Sequence, residues 1–201
     1  MSDPVASPSP LAAPPGFQGA FRTDADALAV YAEAAGIARI PPRAVAVPAS
    51  VDDVSLLARW AHASGVTLVP RGAGSGMAAG ATGPGVVVDL SRLDAIDAVD
   101  VAARRVRVEA GALCGAVDAA ARAVGLRFPV DPSSRPFCTM GGMAAANAAG
   151  AHTLAFGATR AWVVAIECVF ADGTRAEVRR GAPDPVVPAI ARFRAEVAPA
   201  L

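Results

Sequence analysis

One glycine-rich stretch has the composition of a site that binds a phosphate group. Residues 70–77 read Pro-Arg-Gly-Ala-Gly-Ser-Gly-Met, and we call them the glycine loop. Alternate glycines lack the Cβ atoms that would stop neighbouring backbone N–H groups from turning toward one point, and a concave row of N–H dipoles cradles phosphates. The composition alone leaves a second interpretation open, in which the stretch is a long mobile surface loop.

The glycine loop differs from both common nucleotide-binding loops. Gly72 and Gly74 begin a G-x-G pattern, but Met77 stands where the dinucleotide fingerprint has its third glycine, and a strand-like run at 86–90 follows instead of a helix. A P-loop needs a lysine, and this chain contains no lysine. Any phosphate binding here is therefore expected to rely on backbone amides.

A second stretch, residues 139–150, consists almost entirely of very small side chains. It reads Thr-Met-Gly-Gly-Met-Ala-Ala-Ala-Asn-Ala-Ala-Gly. A backbone without bulky side chains can approach a large flat partner, which is either another helix or a planar ligand. Thr139 and Asn147 are the polar groups that could orient a bound ring. Tight helix packing alone explains the composition equally well.

The elements before the glycine loop place it at one end of a sheet. Helical character at 24–35 is followed by an alternating strand at 43–48, a helix that Ser50 caps and Gly65 ends, and a strand at 66–69. This order predicts a β-α-β unit, with the glycine loop at the carboxyl end of its second strand.

The elements after residue 92 repeat the pattern of strands followed by a helix. Strands are predicted at 93–99 and 104–109, and an amphipathic helix at 113–124. Two further strands at 163–171 and 174–178 are joined by Asp172-Gly173, a dipeptide typical of two-residue hairpin loops, and a final helix is predicted at 187–197. Together the two halves indicate two small α+β lobes.

Composition excludes several function classes. The formal net charge is +0, so nothing indicates a general nucleic-acid binder or a binder of anionic membranes. The apolar windows are too short to span a bilayer, the N-terminus lacks the features of a signal peptide, and a cytoplasmic location is expected. Cys114, Cys138 and Cys168 form no C-x-x-C pair, so reduced thiols are expected and no metal site is indicated.

Taken in chain order, several short motifs resemble those of a known flavoprotein family. They are the glycine loop, Val-Val-Asp-Leu-Ser at 87–91, Val-Glu-Ala-Gly at 108–111, Asp-Pro-Ser-Ser at 131–134, Phe-Cys-Thr-Met-Gly-Gly at 137–142, Asn-Ala-Ala-Gly at 147–150, Phe-Gly at 156–157 and Ala-Asp-Gly at 171–173. The series resembles the FAD-binding domain of the vanillyl-alcohol-oxidase (PCMH-type) superfamily. It is most similar to the branch of glycolate oxidase, D-lactate dehydrogenase and D-2-hydroxyglutarate dehydrogenase.

The resemblance implies a fold and a domain organisation. It implies an α+β, two-lobed PCMH-type domain, with a small β-α-β lobe and a larger mixed-sheet lobe that hold an extended FAD between them. On this basis residues 1–22 are a flexible N-terminal arm and residues 23–201 the FAD-binding domain, with lobe one at about 40–98 and lobe two at about 99–201. The substrate (cap) domain of the family is expected to be absent, as if the chain were truncated before it.

The resemblance also implies which residues hold FAD. The glycine loop wraps the pyrophosphate with backbone N–H groups, residues 131–134 and 139–142 line the flavin side, residues 146–150 run beside the dinucleotide, and Ile166 offers backbone groups to the adenine. The full set is Arg71, Gly72, Ala73, Gly74, Ser75, Gly76, Met77, Asp131, Pro132, Ser133, Ser134, Thr139, Met140, Gly141, Gly142, Ala146, Asn147, Ala148, Ala149, Gly150 and Ile166. Some relatives bond the flavin to a histidine in the first loop. Here that loop reads Gly-Ser-Gly, so noncovalent FAD is expected.

The function that the resemblance implies is oxidation of a 2-hydroxy acid, with hydride passing from the substrate to flavin N5. No catalytic residue is assigned, because the family carries its base and its acid-binding arginines in the cap. His152 is a candidate substrate-side group, although it could also be a loop histidine without a functional role. His62 is expected to lie on the surface of a helix and is assigned no role. The alternatives are a non-catalytic FAD-binding subunit or fragment that needs a separate cap or iron–sulfur partner chain, a structural protein that has lost FAD, and a flavoprotein like the UDP-sugar reductases.

Overall fold

The first half of the chain forms a four-stranded mixed sheet. The computed structural model describes residues 11–200. Strands β1 (Ala20–Arg22), β2 (Ala44–Val47), β3 (Leu68–Arg71) and β4 (Val86–Asp89) lie in the order β1-β2-β4-β3. Strands β2 and β3 run parallel to β4, and β1 runs antiparallel to β2. The central strands β2 and β4 are buried, which suits their continuous Ala/Val composition.

Two helices cover this sheet. Helix α1 (Ala25–Tyr31) is capped by the side chain of Asp24, and helix α2 (Val51–Ser64) by that of Ser50. Helix α2 ends at Gly65, whose φ of 65° lies in the left-handed region that favours glycine. Leu57 carries the apolar stripe of α2 into the core against β2 and β4. The predicted β-α-β unit is therefore confirmed.

Helix α1 is shorter than the predicted 24–35. The N–H of Ala35 donates to the carbonyl of Gly74 at 2.9 Å, and the N–H of Ile40 donates to that of Ala32 at 2.8 Å. The first bond fastens residue 35 to the glycine loop, and the second joins the two ends of residues 32–40, so neither N–H continues the helix. In this segment a hydrogen bond that supports the glycine loop thus takes the place of a helical one.

The predicted flexible arm at 1–22 is wrong for residues 20–22, which form β1 and pair with β2. Phe21 packs edge-on against Trp60 of α2, and Leu11 and Phe17 also pack on the sheet core. The aromatic residues bury enough surface to order this segment. The Pro- and Ser-rich composition of the surrounding residues did not predict this packing. Residues 1–10 lie outside the described residues.

The second half packs helices around a small apolar cluster. Its helices are α3 (Cys114–Ala123), α4 (Met140–Ala146), α5 (Thr153–Phe156) and α6 (Pro188–Arg192), the last followed by a wider turn at Phe193–Val197. The buried members of the cluster are Cys114, Val130, Cys138 and Met143. This cluster fastens the loop 126–139 between α3 and α4, and so positions the segments predicted to face the flavin.

The predicted strands at 93–99 and 104–109 pair with each other but form no regular ladder. Ile96 pairs with Val108, whereas Asp100 pairs with Arg105, so the register slips by one residue between the two bridges. Such a slip is a bulge, which interrupts the ladder. The period-2 pattern predicted the pairing correctly but could not show the slip.

Strands β5 (Ala165–Val169) and β6 (Arg175–Arg179) form the predicted antiparallel hairpin. Its loop has three residues instead of two, because the N–H of Phe170 bonds the carbonyl of Thr174 at 2.9 Å and Gly173 adopts a φ of 79°. The hairpin packs on α2, where Arg175 bonds Asp52 at 2.8 Å. The two halves of the chain are thus joined through this contact.

Candidate cofactor site

The glycine loop lies at the carboxyl end of β3, next to the carboxyl end of β4. In parallel sheets this edge is where ligands bind, because the loops that leave it are free to approach them. The N–H of Leu90, just after β4, donates to the carbonyl of Arg71 at 3.0 Å and holds the start of the loop against its neighbour. The sheet therefore presents the loop at an open edge.

In and just after the loop, the backbone carbonyls of two residues accept hydrogen bonds, whereas the amide groups are free. The carbonyl of Gly74 accepts from Ala35 at 2.9 Å, and that of Ala79 accepts from Thr82 at 3.1 Å. In contrast, no N–H of residues 72–79 donates a hydrogen bond to any described residue. A run of backbone N–H donors without protein partners can bind an anion.

Open space also lies in front of the loop. A Cβ atom built on Gly76 would meet no atom within 4 Å, so this glycine faces open space, which we call the cradle, and not a packed wall. Gly74 has a different reason to be glycine, because its φ is 68° and a Cβ there would lie 2.4 Å from the Arg71 guanidinium. The cradle and its free amides fit a pyrophosphate, which supports the predicted role of residues 71–77.

The side chain of Arg71 supports the loop from behind. Its Nη1 atom donates to the carbonyls of Glu33 at 2.8 Å and Ala81 at 3.1 Å. The guanidinium lies over the ring of Tyr31, 5.2 Å from its centre. Since these contacts lie on two segments, residues 31–33 and residue 81, Arg71 fixes the loop relative to α1 and adds a positive charge to it.

Tyr31 completes this support through a long-range hydrogen bond that the sequence did not reveal. Its hydroxyl donates to the carboxylate of the buried Asp89, and the second oxygen of Asp89 accepts from the N–H of Ser91 at 2.8 Å. Burial and the bond to Asp89 raise the pKa of Tyr31 to about 12. The pair joins α1 to the end of β4, at the base of the cradle.

The titration of Tyr31 is directly measurable, because it is the single tyrosine of the chain. We expect its phenolate absorbance to appear with a pKa near 12 in the folded protein and with a lower pKa in the Asp89→Asn variant, which keeps the burial of the ring but loses the carboxylate. The neutral form is favoured by folding, so its contribution to stability is complete below about pH 10 and is lost as the pH rises toward 12. A wild-type titration near 10 under conditions where circular dichroism shows an intact fold would contradict the Tyr31–Asp89 bond.

Thr139 brings the second predicted segment to the glycine loop. A Cβ atom on Gly72 would lie 2.1 Å from the Thr139 hydroxyl, so the absence of a side chain at 72 permits this contact. The same hydroxyl accepts from the N–H of Gly142 and caps α4. Gly141 in turn lies against Ala110, to whose carbonyl its N–H donates at 2.8 Å. Two stretches about 65 residues apart therefore form one wall.

A cavity of about 330 Å³ opens beside this contact. Its lining comprises Ala73, Ser91, Asp94, Ile96, Gly111, Leu113, Ala116, Phe137 and Thr139. Ala73 and Thr139 belong to the predicted site, and the apolar members were not predicted. Phe137 and Leu113 are exposed, which leaves an apolar surface next to the free amides of the loop. Such a combination suits a ligand with a charged part and a flat apolar part.

The remaining predicted flavin-side residues form a second contact. A Cβ atom on Gly150 would lie 2.2 Å from the carbonyl oxygen of Asp131, so these two residues approach each other backbone to backbone. The N–H and the ring Nδ1 of His152 both bond the Asp131 carboxylate, and the ring bond lowers the pKa of Asp131. His152 thus has a partner, a fact that its position in the sequence did not show.

Asn147 and Ile166 have partners of their own. Asn147 ends α4 at a φ of 46°, and its side-chain oxygen accepts from the N–H of Arg160 at 2.8 Å. Ile166 lies opposite Val178 in the hairpin. Because Arg180 bonds Val164 and bonded pairs alternate along an antiparallel ladder, the backbone groups of Ile166 face β6. What Ile166 presents outward is its side chain, which is 45% exposed.

Two cysteines far apart in sequence are neighbours. The N–H of Cys114 donates to the carbonyl of Cys138 at 2.9 Å, and both side chains are buried in the apolar cluster. The hydrogen bond with Cys138 and burial raise the pKa of the Cys114 thiol. The described residues contain no group of three or more potential metal ligands, and their helices include none that is long and apolar enough to cross a membrane.

Comparison with known proteins gives this geometry a family context. The model of a family described as "FAD binding domain" matches residues 42–179. A D-2-hydroxyglutarate dehydrogenase of Xanthomonas citri pv. viticola is 39% identical over 142 residues, which is 68% of this chain and 29% of that protein. The glycolate oxidase subunit GlcD of Escherichia coli K12 is 31% identical, over 76% of this chain and 31% of its own length.

Solved structures agree with the fold. The 6-hydroxy-D-nicotine oxidase of Arthrobacter nicotinovorans has a TM-score of 0.72 at 26% identity, and the match covers 84% of this chain and 37% of that one. An alkyldihydroxyacetonephosphate synthase has the same TM-score of 0.72 at 22% identity, over 83% of this chain and 33% of its own, which supports the fold alone. The chain thus spans about a third of the length of the proteins it matches.

Proposed function

Because the chain belongs to the FAD binding domain family, whose model matches residues 42–179, we propose that it forms the FAD-binding portion of a flavin-dependent oxidoreductase that acts on 2-hydroxy acids. The observation that carries the proposal is the glycine loop, with its open cradle and a run of amides that donate to no described residue. The substrate class is taken from similar proteins, which include D-2-hydroxyglutarate dehydrogenases, D-lactate dehydrogenases and a glycolate oxidase subunit.

In this proposal the chain's own residues bind and orient the cofactor. The amides of residues 72–77 hold the pyrophosphate, with Arg71 behind them as a fixed positive charge. The wall made by Gly72, Thr139 and the α4 backbone, together with residues 131–134 and 146–150, sets the position of the flavin. Bound FAD supplies the acceptor for the hydride of the substrate Cα–H, while the protein supplies orientation and electrostatics.

We further propose that the cofactor is noncovalent. Residues 74–76 are Gly, Ser and Gly, and none of them offers a histidine or cysteine for attachment. A catalytic base is not assigned to this chain, and the activity of the chain alone is a separate question from cofactor binding. A partner chain that carries a cap or an iron–sulfur centre belongs to the same proposal.

Incubation with FAD, desalting and a visible spectrum test the first part of the proposal. We expect flavin bands to be retained, and we expect all of the flavin to pass a filter after the protein is denatured with guanidinium. A colourless protein would contradict FAD binding, and flavin that stays on the denatured chain would contradict noncovalent attachment.

The substrate class is tested separately, with D-2-hydroxyglutarate, D-lactate and glycolate in turn and an artificial dye as electron acceptor. Bleaching of the retained flavin under anaerobic conditions by one of these acids is the expected result. Retained flavin that none of them bleaches would leave FAD binding in place and contradict the hydroxy-acid assignment for this chain.

A further inference from the structure

A second cavity, of about 260 Å³, lies at the carboxyl end of α3. Its lining comprises Arg122, Arg127, Phe128, Pro129, Asp131, Arg135, His152 and Phe156. It shares no lining residue with the cavity beside the glycine loop. Three guanidinium groups around one small space need an explanation, since they repel one another unless something negative lies between them.

One buried carboxylate organises two of these arginines. Asp118 is 3% exposed and bonds the Nε atom of Arg122 at 2.5 Å, forms an ion pair with Arg135, and accepts from the N–H of Phe128 at 2.9 Å. Burial opposes its ionisation, but the bonds from Arg122 and Phe128 lower the pKa of Asp118, so it is a carboxylate at neutral pH. It holds both guanidinium groups in fixed positions and leaves most of their N–H donors unused.

Arg127 is held in a different way. Its guanidinium lies over the ring of Phe156, 4.6 Å from the centre, and it forms no ion pair with any described residue. Asp131, the other carboxylate of the cavity, is already engaged by His152. The cavity therefore combines three arginines with the single carboxylate Asp118 and the Asp131–His152 pair, which leaves one positive charge uncompensated when His152 is neutral.

From this arrangement we propose that the cavity at the end of α3 binds a small oxyanion, a carboxylate or phosphate group, through Arg127, Arg122 and Arg135. Planar guanidinium groups form paired hydrogen bonds with such groups, and arginines already fixed by Asp118 and Phe156 lose little conformational entropy on binding. Phe128 and Pro129 provide the apolar side of the cavity. The cavity contains no residue of the glycine loop, and it includes Asp131 of the predicted flavin-side residues.

Thermal unfolding in the presence of inorganic phosphate, succinate or chloride at matched ionic strength tests this site. We expect saturable increases in melting temperature with phosphate or succinate and a smaller, unsaturable change with chloride. Phosphate alone would indicate a phosphate-bearing ligand, and succinate alone a carboxylate. Equal effects of all three anions would overturn the proposal, because they would show screening and not binding.

The Arg127→Gln variant provides the decisive comparison, and Arg43→Gln is its matched control, since Arg43 is exposed at the start of β2 on the other half of the chain. Loss of a charge-assisted hydrogen bond predicts an apparent Kd at least about tenfold weaker in Arg127→Gln and unchanged in Arg43→Gln. Equal anion effects in both variants would overturn the assignment.

A Gly76→Leu variant separates this inference from FAD binding. Its obstructed cradle removes the phosphate-binding amides of the glycine loop, so an anion effect that persists there must come from the α3 cavity. Loss of the effect in Gly76→Leu, with its retention in Arg127→Gln, would mean that the anions bind at the glycine loop and would overturn the proposal. Neither result bears on FAD binding, which is tested separately by the visible spectrum after desalting.

Discussion

The Gly76→Leu variant is expected to fold normally and to lose FAD. A Cβ atom at position 76 meets no atom within 4 Å, and the φ of Gly76 is outside the left-handed region, so the new side chain should cost the fold no more than about 0.5 kcal/mol. It would, however, fill the open space beside Gly76, where we propose that the amides of residues 72–77 hold the pyrophosphate. Loss of two charge-assisted bonds costs about 3 kcal/mol, which weakens the Kd for FAD by a factor of about 100.

Gly80→Leu is the matched control for this substitution. A Cβ atom at position 80 also meets no atom within 4 Å, and the residue lies in the same connection between β3 and β4, but outside residues 70–77. We expect its visible spectrum after desalting to equal that of the wild type. If Gly76→Leu retained flavin with the wild-type Kd, the glycine loop would not be the pyrophosphate site, whatever the fate of the control.

Gly74 shows why the choice of glycine matters. Its φ is 68° and a Cβ atom there would lie 2.4 Å from the Arg71 guanidinium, so a substitution would disturb the loop and its support together. If a Gly74 variant lost FAD, the cause could be a side chain that blocks the cradle or a loop that has moved, and the experiment would not distinguish them. Gly76 separates the two because it faces open space.

The local parts of this site could be predicted from the sequence. The glycine loop follows the end of a strand as expected, because alternating Val and Ala residues and a capped helix determine the β-α-β unit without help from distant contacts. The resemblance to the flavoprotein family also implied that residues 131–134 and 139–150 would lie near one site. The contact of Gly72 with Thr139 and that of Gly150 with Asp131 are consistent with this expectation.

The supports of the site could not be predicted, because they join residues far apart in sequence. Tyr31 and Asp89 are 58 residues apart, and each has an ordinary local context, an amphipathic helix and a strand end. The shortening of α1 follows from the bond between Ala35 and Gly74, which no local pattern encodes. From its local sequence Asp118 would be placed on the surface of α3. Its ion pairs with Arg122 and Arg135 explain why it is buried instead.

Gly150→Ala is expected to destabilise the protein and weaken FAD binding together. The added Cβ atom would lie 2.2 Å from the carbonyl oxygen and 2.3 Å from the carbonyl carbon of Asp131, so backbone atoms must move apart. Overpacking of this kind costs about 2 kcal/mol, which corresponds to a fall in melting temperature of about 4–8 °C for a domain of this size. Because the movement separates residues 131–134 from residue 150, we expect the Kd for FAD to rise by about tenfold as well.

The same glycine-to-alanine substitution at Gly115 should stabilise the protein and not destabilise it. Gly115 lies in α3, where a Cβ atom would be 3.4 Å from the carbonyl oxygen of Arg135 and 3.8 Å from the Cα of Pro136, so the methyl group can be accommodated. Alanine is the better helix former, so Gly115→Ala should stabilise the fold by about 0.5 kcal/mol and leave FAD binding unchanged. Scanning calorimetry of the Gly150→Ala and Gly115→Ala variants compares their melting temperatures, and FAD titration compares their Kd values. If Gly150→Ala matched Gly115→Ala in both measurements, residues 131 and 150 could separate without cost, and their close approach would be no part of the cofactor site.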